Sequence, residues 1–189
     1  LAQSAAHPER EGMASTLSAL VLRQRRYVIA HIGDTRVYLL RGGQLTQLTT
    51  DHVWDRPEMR HVLTRAMGLD TRLAIDYSDG ELELGDRFLL TSDGVWHQLG
   101  DTRLRELLAA QTDAQQAAQT LCAAALAAGS QDNVSAAVVD VAALPAPELA
   151  DRVVPHQQPP RVTAEGVGAG REEGVEGGQV VGHERTLVA

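Results

Sequence analysis

A chain of 189 residues with 43% apolar side chains has enough material for one core, and with aromatics at 3% that core must be built from Leu, Val and Ala. The formal charge of −8 lacks the basic face of a nucleic-acid binder, and no stretch approaches the ~20 apolar residues of a membrane span. Cys122 is the only cysteine, which excludes an intrachain disulfide and a thiolate metal cluster and leaves it as a small core residue.

Residues 1–11 show no basic region followed by an apolar one, so they do not read as a secretory signal, and a cytoplasmic chain is expected. The first residue is Leu rather than Met, consistent with a processed chain or a fragment. Residues 16–22 and 27–32 are apolar runs rich in strand formers, and both predict strands around the solvated basic link Arg23-Gln24-Arg25-Arg26. Gly33-Asp34 predicts a turn into a strand over 37–40. Arg41-Gly42-Gly43-Gln44 then signals a hairpin whose partner strand runs over 45–48. Residues 49–60 are polar and contain Pro57, which predicts a loop; 62–67 fit either a short helix or a strand. Short strands are expected over 73–77 and 81–84, followed by a turn at Gly85-Asp86 into the run Phe88-Leu89-Leu90.

Two helices follow. Leu104, Leu107 and Leu108 form a helical stripe behind Asp101 or Thr102 as N-cap, and Thr112 with Gln115 has capping-box spacing. Ala118, Leu121, Cys122, Ala125 and Leu126 recur at three and four residues until Gly129 stops the helix. A last strand is expected over 134–141. Beyond Pro145 the chain turns Pro-, Gly- and Glu-rich and loses apolar periodicity, which reads as a disordered tail or linker over 145–189.

The chemistry concentrates at two acidic strand ends. Thr91-Ser92-Asp93-Gly94 closes the Phe88 run, and Gln131-Asp132-Asn133 opens the Val134 run. If the two runs pair antiparallel, Asp93 and Asp132 share one sheet edge, where two carboxylates can hold a hard divalent cation. Each motif alone is also ordinary turn chemistry. Asp34 reads mainly as a turn residue close to Arg36. His31 and His52 have no second His or Cys at metal-ligand spacing, and Ser15 and Ser92 have no adjacent base that would make a nucleophile.

Taken in order, Gly12-Met13-Ala14-Ser15-Thr16, His31-Ile32-Gly33-Asp34-Thr35-Arg36, Val62-Leu63-Thr64-Arg65-Ala66-Met67-Gly68, the stretch from Gly85 to Gly94, and Gln131-Asp132-Asn133-Val134 resemble the metal-dependent protein phosphatases of the PP2C (PPM) type. Among bacterial members the chain looks most like the phosphatase half of fused phosphatase–kinase proteins. The resemblance implies an α/β (α+β) sandwich of two antiparallel sheets flanked by helices, with a phosphatase domain over 12–144. It implies Mn²⁺ or Mg²⁺ in a two-metal site, and a metal-activated water that hydrolyses phosphoserine or phosphothreonine. Partners would be phosphoproteins, with a Ser/Thr kinase among them, and neither nucleic acid nor membrane. Asp93 and Asp132 fall on metal-binding aspartates of the family, with Gly94, Asn133 and Asp34 in support; the substrate-binding residues are not assigned.

Nothing before Gly12 resembles the family's first acidic residue, its phosphate-binding Arg or its Asp-Gly pair. An N-terminally truncated domain is therefore expected, with residues 1–11 as a remnant and part of the metal shell missing. Phosphate-monoester hydrolysis needs accelerations of up to ~10²¹-fold, so such a site would be crippled. The alternative reading is a non-catalytic phosphatase-like module that binds a phosphoprotein or a kinase. Residues 49–61 are short where many relatives carry a flap, and Ala14 and Thr35 replace the more usual Gly and Ser.

Overall fold

The computed structural model describes residues 13–59, 62–69, 73–146 and 185–188. Two four-stranded antiparallel sheets face each other. The first contains β1 (Leu17–Arg23), β2 (Arg26–Ile32), β5 (Asp76–Glu81) and β8 (Arg185–Val188), in the order β5-β2-β1-β8. The second contains β3 (Arg36–Arg41), β4 (Gln44–Gln47), β6 (Arg87–Thr91) and β7 (Ala136–Asp140), in the order β4-β3-β6-β7. Helices α1 (Asp93–Ala110) and α2 (Ala114–Ala127) pack on the outer face of the second sheet.

Side-chain alternation along the strands explains the layers. From β3, Val37 and Leu39 enter the core between the sheets with Leu20, Ile29 and Phe88. Tyr38 and Leu40 point the other way, into the core beneath the helices with Leu104, Leu108 and Leu121. β6 is buried on both faces, Phe88 and Leu90 on one side and Leu89 on the other. A strand with no wet face reads as the unbroken apolar run seen in the sequence. Tyr27 meets the Phe88 ring edge-on at 5.1 Å, which ties the two sheets together.

Four local expectations change. The strands expected over 73–77 and 81–84 are replaced by one strand, β5, whose polar sequence pairs with β2 from His31↔Asp76 to Arg26↔Glu81. Its backbone hydrogen bonds, rather than an apolar pattern, make it a strand, and Leu82 just after it enters the core. Helix α1 begins at Asp93, a segment ahead of the helix expected behind Asp101 or Thr102, which starts just past Gly100. Gly100 (φ 71°) breaks it into two segments, and Asp101 accepts a hydrogen bond from the Tyr38 hydroxyl at 3.1 Å. The N-cap of α2 is Asp113, whose carboxylate accepts from the Gln116 N–H at 2.8 Å, instead of Thr112. Residues 62–67 form neither a helix nor a regular strand; single bridges join Val53 to Leu63 and Ser15 to Met67.

The tail expectation changes at one place. Arg185–Val188 pairs antiparallel with β1, from Leu22↔Arg185 to Ala19↔Val188, because β1 offers an edge of unsatisfied backbone groups. Residues 1–11 and 147–184 lie outside the described residues. No helix among the described residues is long and apolar enough to cross a membrane.

Candidate functional site

β6 and β7 are neighbouring antiparallel strands, with Thr91 opposite Ala136. The chain leaving β6 and the chain entering β7 therefore occupy one edge, and Asp93 and Asp132 line one cleft of about 320 Å³ together with His97, Gln98, Ser130 and Gln131. Ser92 stitches the edge closed. Its hydroxyl donates to the Asn133 carbonyl at 2.9 Å and accepts the Ser135 N–H at 3.0 Å, while its own N–H donates to the Ser135 carbonyl at 3.0 Å. Ser130 adds a hydroxyl bond to the Gly94 carbonyl at 2.8 Å.

Gly94 has a different role from the expected tight turn. It lies inside the first turn of α1, and a Cβ there would stand 2.5 Å from the Asn133 carbonyl oxygen. The glycine is required because two backbones touch. That contact brings the Asp93 and Asp132 segments together. Asn133 contributes its backbone: its carbonyl receives Ser92, and its N–H donates to Asp132 Oδ1 at 2.6 Å.

Asp34, in the turn between β2 and β3, belongs to the same group. Its carboxyl is held above the ordinary aspartate range, chiefly by burial and next by the negative charge of Asp93, with Asp51 and Asp132 adding to it. Arg36 does not neutralise it. That guanidinium makes a two-pronged pair with Asp51, at 2.9 and 2.7 Å, and lies over the Trp96 ring at 3.3 Å. Trp96 Nε1 donates to the Asp34 carbonyl at 3.0 Å, which pins the Asp34 turn to the helix that carries Asp93. Trp54 is about half exposed and its indole makes no comparable bond among the described residues.

The donor set suits a hard cation. Asp93 and Asp132 each commit Oδ1 to a backbone N–H, and neither Oδ2 accepts a hydrogen bond among the described residues. A divalent ion would also relieve the repulsion recorded in Asp34. The set is incomplete, since no three His, Cys, Asp or Glu side chains among the described residues converge on one ion.

The roles of three histidines escaped the sequence reading. His97 lies four residues after Asp93, on the same helical face and in the same cleft, a spacing that becomes informative only once the helix is known to start at Asp93. His52 and His31 meet ring to ring at 4.8 Å although 21 residues separate them in sequence, and no local pattern could have paired them.

A sandwich whose sheet edge gathers acidic side chains over a polar cleft defines a candidate divalent-cation site. The protein phosphatase 2C family model matches residues 1–140, and the chain belongs to that family. Serine/threonine protein phosphatase PstP of Mycobacterium tuberculosis is 35% identical over 156 residues, covering 74% of this chain and 30% of PstP. Protein phosphatase PhpP of Streptococcus pneumoniae is 30% identical over 145 residues, covering 69% of this chain and 59% of PhpP. The chain thus spans between 30% and 59% of the length of these relatives. The structure of the PstP catalytic domain in complex with two manganese ions superposes with a TM-score of 0.65 at 36% identity, covering 74% of this chain and 65% of that one.

Proposed function

We propose that this chain supplies part of a Mn²⁺- or Mg²⁺-dependent active site that hydrolyses phosphoserine and phosphothreonine in cytoplasmic proteins. The observation that carries this reading is the convergence of Asp93 and Asp132 at one edge of the sandwich, each with one carboxylate oxygen uncommitted. Carboxylates are the ligands hard cations prefer, and a bound pair of such ions lowers the pKa of water and neutralises phosphoryl oxygens. Asp93 and Asp132 would hold the cation, while Gly94 and Ser92 keep their two segments in register. The Trp96–Asp34 bond ties the turn that carries Asp34 to the helix that carries Asp93. Residues 12–144 form the phosphatase unit in this reading, joined by the strand Arg185–Val188, and the rest of 145–189 is a linker, with a Ser/Thr kinase as a further partner.

The non-catalytic alternative has one observation behind it: among the described residues the ion has no third close ligand. Hydrolysis of a phosphothreonine peptide by this chain, with and without Mn²⁺, decides between the two. We expect weak Mn²⁺-dependent turnover, far below that of a complete site, that Asp93→Asn abolishes. A folded sample that binds the peptide without turning it over would support the binding module instead.

A further inference from the structure

The Gly33–Asp34 turn is held by a histidine far away in sequence. The His52 N–H donates to the Gly33 carbonyl at 2.8 Å, and the Gly33 N–H donates to His52 Nδ1 at 3.1 Å. One residue therefore satisfies both backbone groups of Gly33. Because Nδ1 accepts, the ring proton sits on Nε2, which donates to Asp76 Oδ2 at 3.0 Å. Arg65 braces Asp76 from the other side at 2.7 Å. The imidazole is buried, so its tautomer and orientation are set by these partners rather than by water.

Gly33 itself is at φ 112°, and a Cβ there would collide with the Thr16 side chain. The turn thus has a floor (Thr16), a clamp on one side (His52) and a second clamp on the other, where Trp96 Nε1 holds the Asp34 carbonyl. The neighbouring Asp51 serves that second clamp by pairing with Arg36, which lies on Trp96. Residues 51 and 52 together fix where Asp34 stands.

We infer that His52 is a positioning residue, whose Nδ1 holds the Gly33–Asp34 turn in place against the helix that carries Asp93. His52 is not catalytic: it does not line the cleft of Asp93 and Asp132, and the carboxylate it touches, Asp76, does not line it either. Its link to metal binding rests on the proposed phosphatase reading; its link to the turn does not. The relay from Arg65 through Asp76 keeps the proton on Nε2 and leaves Nδ1 to accept.

The test uses side chains that imitate one ring nitrogen at a time. Asn places its carbonyl oxygen near the Nδ1 position, and Gln reaches toward Nε2. Hydrogen exchange read by NMR on the metal-free chain would follow the Gly33 amide and the Trp96 indole N–H. We expect His52→Asn to keep protection at both within about threefold and His52→Gln to lose about tenfold or more at both. Equal behaviour of the two variants, or an unchanged Trp96 indole in His52→Gln, would overturn the inference. Mn²⁺ titration adds a second arm, in which His52→Gln weakens affinity by about tenfold or more, as removal of a group that orients a ligand does. Absence of any Asp93-dependent Mn²⁺ binding in the unmodified chain would defeat the phosphatase reading alone, because the exchange measurement still decides the role of His52.

Discussion

At the residue scale, the site depends on how closely two backbones can approach. Gly94→Ala would drive a Cβ into the Asn133 carbonyl, with only 2.5 Å available. The segments must separate, so we expect a loss of about 1–3 kcal/mol in stability by denaturant titration, together with weaker Mn²⁺ binding. His31 sets a pH limit. Burial, then the neighbouring His52, holds its imidazole below the ordinary value of 6.5. A depressed folded-state pKa means that the stability is complete above 6.5 and is lost as pH falls through that value toward the lower folded one. The melting temperature should therefore drop on acidification below about pH 6.5, and His31→Asn should flatten that limb. Asp93 and Asp132 were legible because each sits where an apolar run stops or starts. His52 was not, since its partners lie 19 and 24 residues away and only folding brings them together.

At the element scale, local signals succeeded at the glycine turns and stops and missed the cap of α2 by one residue. The hairpin turn at Gly42 and Gly43 (φ 56° and 80°) and the helix stop at Gly129 (φ 94°) follow their sequence signals. Asp113 caps α2 alone, so Asp113→Ala should cost about 1 kcal/mol, read as a lower melting temperature with the fold retained. β5 shows the opposite case. Asp-Tyr-Ser-Asp-Gly-Glu has no strand pattern, and it becomes a strand because β2 supplies a ladder of partners. The first segment of α1 was missed for a related reason. Ser-Asp-Gly is good turn chemistry, and it is the contact of Gly94 with Asn133 that lets the helix begin there.

At the scale of the whole molecule, two open four-stranded sheets end on the edge strands β5, β8, β4 and β7, and β8 is what covers β1. β8 pairs along β1, so ending the chain after Glu184 should raise hydrogen exchange throughout β1 and favour association through that edge, measurable by light scattering. Unchanged exchange in β1 would mean that the pairing contributes nothing to its protection. The sequence by itself determined the alternating strands, the two amphipathic helices and the placement of carboxylates at strand ends, because these depend on period and local hydrogen bonding. Tertiary structure alone decided that Trp96 ties the Asp34 turn to the Asp93 helix, that His52 clamps that turn and that His97 shares the cleft of Asp93 and Asp132. Those relations depend on strand pairing across many residues, and no local pattern encodes the distance between two side chains that the chain itself keeps far apart.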